Sequence, residues 1–153
     1  MNGFLLDTNI ISMLAPSRVE ASADFLDWLD RMDSDGRIFL SVVSIHEIEK
    51  GIALLDHKGA TAKAANLKAW LAGLLSTYGD KIIGFDAQAA GISGRAEAKA
   101  LAAGHAPGMA DAIIAGIARA QDLVIITHNT KDFLPFGITA WSPNEAAVED
   151  GRA

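Results

Sequence analysis

Three short stretches, residues 4–6, 38–43 and 123–126, are apolar, rich in branched or aromatic side chains, and do not alternate with polar residues. A strand with one face in water reads apolar-polar-apolar, so an uninterrupted apolar strand has to be covered on both faces. Between these stretches lie segments with helical spacing: Phe25, Leu29 and Met32, then Leu67, Trp70, Leu71, Leu74 and Tyr78, and later Ile113, Ile114 and Ile117. Residues 81–85 and 137–141 are two weaker strand candidates. Doubly covered strands alternating with amphipathic helices predict the α/β class: a three-layer αβα sandwich with a mainly parallel central sheet of about five strands and helices on both faces.

The chain has 153 residues, half of them hydrophobic, which suits one core and one domain over 1–153. The polar end, "EAAVEDGRA", is expected to fray from about residue 146. No apolar run approaches the roughly 18 residues of a membrane helix. The N-terminus lacks a basic region, and Asp7 breaks what would otherwise be a signal core, so a cytoplasmic protein without membrane attachment is expected. Cysteine is absent, so any metal has to sit on oxygen or imidazole. The formal charge of −6 argues against a broad basic surface for nucleic acid. A nuclease is not thereby excluded, because divalent cations reverse the sign of an acidic cleft.

Right-handed crossovers bring the carboxyl ends of parallel strands to one rim, where ligands bind. Asp7 follows the first strand; Ser44 and Glu47 follow the second; Thr127, Asn129 and Asp132 follow the third. Asp111 falls in the first turn of a helix that starts after the breaker "GHAPG". Each has an ordinary structural reading as well. Asp7 suits a helix cap, Ser44 and Glu47 have the capping-box spacing, Asp111 complements a helix dipole, and Asp132 suits a solvated loop. For Asp86, at the start of "DAQAAGISG", the cap reading is the better one. Separate caps need not share a rim, whereas a hard divalent cation needs several carboxylate oxygens at one spot. Mg²⁺ or Mn²⁺ is the cation such ligands favour.

In order along the chain, "LLDTN", "SVVSIHEIEKGI", "GMADAIIAGIA" and "IITHNTKDF" resemble the PIN-domain ribonucleases, in particular the VapC/FitB-like toxins of toxin–antitoxin systems. The likeness spans nearly the whole chain. It implies metal-binding carboxylates at Asp7, Glu47, Asp111 and Asp132, with Thr8, Ser44, Thr127 and Asn129 supporting them through hydrogen bonds. It further implies Mg²⁺-dependent endonucleolytic cleavage of RNA by a metal-activated water, leaving a 5′-phosphate. A homodimer is implied too, and so is a VapB/FitA-like antitoxin that blocks the acidic pocket with a basic residue. One departure is His128, where arginine is more usual; it touches a guanidinium contact to substrate rather than the metal site. Lys50, Arg95 and Lys131 are candidate phosphate contacts, and Trp28, Trp70 and Leu75 candidates for an antitoxin groove.

Rival classes fail on defining residues. A HAD-type phosphatase needs a second Asp where Asn9 stands, and a receiver domain needs adjacent acidic residues near its first strand. A zincin helix needs His where "HEIEK" has Lys50, and "GISGR" lacks the spacing of a hydrolase elbow. The remaining alternative is a catalytically inactive PIN-like module that only binds RNA or protein.

Overall fold

The computed structural model describes residues 2–16 and 21–149. Five strands form one sheet: β1 (Gly3–Leu6), β2 (Ile38–Ser41), β3 (Ile82–Ile83), β4 (Leu123–Ile126) and β5 (Ala140–Trp141), in the order β3-β2-β1-β4-β5. Every pairing is parallel, with Leu6 opposite Ile126 and Leu5 opposite Phe39. The helices are α1 (Thr8–Met13), α2 (Ala23–Ser34), α3 (Val42–His57), α4 (Thr61–Tyr78), α5 (Ala87–Ala102), α6 (Met109–Ala120) and α7 (Pro143–Glu149).

The strand side chains divide the core in two. Phe4, Leu6, Ile38, Leu40, Val124 and Ile126 pack with α1, α2, α3, α4 and Ala146 of α7. Leu5, Leu123 and Ile125 point the other way, onto α5, α6, Phe133 and Phe136. Alternate residues of the same strands feed opposite cores, which is why these strands carry no polar face. The three-layer architecture expected from the sequence is therefore present, with the sheet wholly parallel.

Two glycines mark close approaches that fix the layers. A Cβ on Gly3 would lie 2.5 Å from the Arg37 carbonyl oxygen, and one on Gly116 would lie 2.7 Å from both the Ala89 carbonyl oxygen and the Ser93 Cβ. The second contact lets α6 lie directly on α5.

Several boundaries differ from the sequence reading. The second strand stops at Ser41, and Val42 and Val43 begin α3 instead of extending the strand. The Ser41 hydroxyl accepts the Ser44 backbone N–H and so ends the strand by capping the helix. The two weaker strands are pairs, Ile82–Ile83 and Ala140–Trp141, at the sheet edges. At the C-terminal end α7 is helical to Glu149, and residues 150–153 lie outside those described. Trp28, a groove candidate by sequence, is fully buried in the core against Phe4 and Phe25. No helix among the described residues is long and apolar enough to cross a membrane.

Candidate active site

The chain runs from β1 outward through β2 to β3, then returns to place β4 on the other side of β1. The order therefore reverses between β1 and β4, and the carboxyl ends of those strands flank the crevice where open α/β sheets bind ligands. Asp7 leaves β1 at that point and Thr127 leaves β4.

Asp7 is 7 % exposed and accepts three hydrogen bonds. Its Oδ1 accepts the Thr8 N–H at 2.8 Å; its Oδ2 accepts the Thr127 hydroxyl at 2.8 Å and the Asn9 side-chain amide at 3.4 Å. The capping reading of Asp7 is thus correct, and it coexists with a buried carboxylate at the sheet's switch point. Thr127, itself buried, also accepts the Asn129 backbone N–H at 3.0 Å and the Asn9 amide at 3.3 Å.

A second chain of hydrogen bonds reaches Glu47 on α3. Thr8 Oγ1 lies 2.7 Å from Glu47 Oε1 and 2.9 Å from Ser44 Oγ. A hydroxyl has one proton, so donating it to the carboxylate leaves Thr8 to accept from Ser44. Ser44 in turn accepts from the Ser41 hydroxyl at 3.4 Å. Ser41 and Ser44 are both buried, so these bonds satisfy groups that water does not reach. The capping-box reading of Glu47 does not hold: Ser41 is the cap of α3, and Glu47 turns across to Thr8, 39 positions away in sequence.

Asp111 stands in the first turn of α6 and Asp132 at the end of a 3₁₀ turn, Thr130–Asp132. Burial raises the Asp111 pKa to about 6, helped by the negative charges of Asp7, Asp132 and Glu47. Asp7 is raised as well, first by burial and then by Glu47 and Asp132, against the lowering effect of its bonds to Thr127 and Thr8. Carboxylates from four separate elements therefore feel one another. Among the described residues, no group of three or more acidic or imidazole side chains already stands in an arrangement able to hold a metal ion. The four form a repelling cluster rather than a closed cage. Their chemistry still fits a hard divalent cation: every donor is a carboxylate oxygen, and the charge they share favours one.

Of the predicted supporting residues, Thr8, Ser44 and Thr127 act through their hydroxyls and Asn129 through its backbone N–H. The sequence reading did not single out Asn9 or Ser41 for the site. Asn9 was visible within "DTN", and Ser41 within "LSVVS" as a cap three residues before Ser44. Asp86 is a plain helix cap, accepting the Ala89 N–H at 2.9 Å. Among the cation candidates, Arg95 folds back over Gly91, Lys131 neighbours Asp132 in the 3₁₀ turn, and Lys50 lines a hollow with Glu47.

Two hollows flank Glu47. One, of about 310 Å³, lies between α1, α3 and α4 and is walled by Thr8, Glu47, Gly51, Lys63, Leu67 and Trp70 among others. Trp70 lines this hollow, whereas Trp28 is buried in the core. The other, of about 440 Å³, has Val42, His46, Lys50, Phe85 and Met109 in its wall.

The model of the PIN domain family matches residues 4–134. The chain is 35% identical to the plasmid stability protein StbB of Pseudomonas syringae pv. tomato, over 93% of this chain and 99% of that protein. It is 28% identical to toxin FitB of Neisseria gonorrhoeae, over 91% of this chain and 96% of the other. The fold superposes on the crystal structure of FitAcB from Neisseria gonorrhoeae with a TM-score of 0.77 and 27% identity, covering 92% of this chain and 97% of that one.

Proposed function

Because the chain belongs to the PIN-domain family, we propose that it is a metal-dependent endoribonuclease acting as the toxin of a toxin–antitoxin module. The observation that carries this reading is the gathering of Asp7, Glu47, Asp111 and Asp132 from separate elements around the end of β1, where burial first and the neighbouring negative charges second raise Asp111 to about 6. Like charges gathered at a strand-end crevice repel one another, and a bound counter-charge relieves that repulsion. The likeness to a protein named as a toxin supports the biological role.

In this reading the four carboxylates hold Mg²⁺ or Mn²⁺. When bound, such a cation acidifies a water molecule and neutralises charge developing on a phosphodiester. The chain's own contribution is rigid delivery. Asp7 is fixed by the end of β1 and by its donors Thr8, Asn9 and Thr127; Glu47 is fixed by Thr8. Donors that orient a ligand's remaining lone pairs keep its free oxygens aimed. Lys50 and Lys63 line the two hollows beside Glu47 and offer cations to RNA phosphates.

A toxin of this kind requires an antitoxin. The hollow of about 310 Å³ has apolar walls at Ile52, Leu67 and Trp70 and ends on Thr8 and Glu47. A segment with an apolar face laid along α3 and α4 would bring a basic side chain onto the carboxylates, which the chain's net charge of −6 favours. A second copy of the chain is the other partner we propose, with the cytoplasm as the place of action. The exposed apolar side chains of Val42, Phe85 and Met109 are the surface that best suits such a contact.

The test is RNA cleavage by purified protein with and without Mg²⁺, with Asp7→Asn as control and RNA ends sequenced. Mg²⁺-dependent cuts absent from Asp7→Asn bear the reading out. RNA left intact at every Mg²⁺ and Mn²⁺ concentration would favour a module that binds without cutting.

A further inference from the structure

Asn9 is oriented without ambiguity. The His128 backbone N–H needs an acceptor and finds Asn9 Oδ1 at 3.2 Å, so the amide nitrogen faces Asp7 Oδ2 and Thr127 Oγ1. Its two hydrogens serve those two oxygens. Thr127 gives its single proton to the same Asp7 Oδ2 and takes one bond each from Asn9 and Asn129. Both lone pairs of Asp7 Oδ2 are therefore filled. Oδ1 accepts only the Thr8 N–H among the bonds present, which leaves it one lone pair.

We propose that Asn9 is a positioning residue that, with Thr127, makes Asp7 a one-oxygen ligand through Oδ1 and thereby selects Mg²⁺ or Mn²⁺ over Ca²⁺. This rests on the metal-dependent reading above. Mg²⁺ demands near-ideal octahedral geometry, whereas the larger Ca²⁺ accepts both oxygens of one carboxylate in a flexible shell. A carboxylate whose second oxygen is tied to two donors does not swing to offer both. By holding the His128 N–H, Asn9 also ties the segment after β4, which leads to Asp132, to the start of α1. One side chain thus fixes two of the four carboxylates relative to each other.

The experiment is calorimetric titration of the whole protein with MgCl₂, MnCl₂ and CaCl₂, for wild type, Asn9→Ala and Thr127→Val, alongside cleavage assays. Wild type is expected to bind Mg²⁺ and Mn²⁺ in preference to Ca²⁺. Asn9→Ala should weaken Mg²⁺ by about 10–100-fold, the usual effect of losing a partner that orients a ligand. It should weaken Ca²⁺ far less, so that the Mg²⁺/Ca²⁺ preference falls at least tenfold. A purely structural role would lower affinity for both ions together and leave their ratio alone. Thr127→Val empties the other lone pair of the same oxygen and should shift the ratio in the same direction, which keeps the test open if Asn9→Ala folds poorly. An unchanged ratio in both variants, with wild type binding Mg²⁺ and cutting RNA, overturns this inference and spares the function. A wild type that binds none of the three ions overturns both.

Discussion

Asp7 and Thr127 stand 120 positions apart in sequence and 2.8 Å apart in space, joined by a buried hydrogen bond across the point where the strand order reverses. That bond links the first strand of the chain to the fourth, and the acidic cluster is organised around it.

Replacing Asp7 by Asn keeps an oxygen to accept the Thr8 N–H and removes the charge. RNA cleavage should fall below detection. The melting temperature in chelator should hold or rise, because one of four repelling carboxylates is gone. A clear drop in that temperature would mean that the bonds from Thr127 and Asn9 to the second carboxylate oxygen, which an amide nitrogen cannot accept, outweigh the relief of repulsion.

The raised pKa of Asp111 contributes to the pH dependence of the metal-free protein. Between 3.8 and about 6 the folded chain holds this proton more tightly than the unfolded chain. Stability therefore falls as pH rises through that window, and the contribution is lost above it. Melting curves in chelator at pH 4.5 and pH 7 should show Asp111→Asn gaining on wild type at the higher pH. Equal differences at both pH values would contradict the assignment.

Thr8→Val preserves shape and removes the hydroxyl between Ser44 and Glu47. Cleavage should drop by about 10–100-fold as Glu47 loses its orienting donor. Stability should drop by about 1 kcal/mol, because the buried Ser44 hydroxyl loses its acceptor. Kinetics and thermal melts on the same sample check both.

Gly51 faces the hollow between α3 and α4, and a Cβ there meets nothing within 4 Å. Gly51→Leu should raise helix stability by about 0.5–1 kcal/mol, since glycine is a poor residue in a helix interior. It should weaken antitoxin binding at least tenfold while Mg²⁺-dependent cleavage persists. Thermal melts read the first effect, and titration with a cognate antitoxin reads the second.

Gly116→Ala, by contrast, drives a methyl into the Ala89 carbonyl and the Ser93 side chain. A loss of about 1–3 kcal/mol is expected, typical of overpacking a tight contact. Thermal melts would show it, and an unshifted midpoint would mean that α5 and α6 separate easily.

The architecture was legible because the apolar stretches at 4–6 and 123–126 lack a polar face, and only a doubly covered sheet satisfies that. The edge pairs Ile82–Ile83 and Ala140–Trp141 were harder to place, since two residues carry no period. The strand-to-helix switch at Ser41 was missed because Val42 and Val43 are good strand formers, and a local cap from Ser41 to Ser44 overrode that preference. At the site, the acidic positions were readable from strand ends and motif order. The partners of Glu47 and Asn9 were not, because Thr8–Glu47 and Asn9–Thr127 join segments that only the closed sheet brings together.

The strand order has a consequence for how such a protein is made. β1 is synthesised first, but its neighbour β4 and the oxygens of Thr127 and Asp132 emerge only in the last part of translation. Until then Asp7 lacks its Thr127 donor and the crevice lacks a wall, so the carboxylate cluster stays unassembled on a growing polypeptide. The crevice closes only once nearly the whole chain has been made, so its assembly coincides with release from the ribosome.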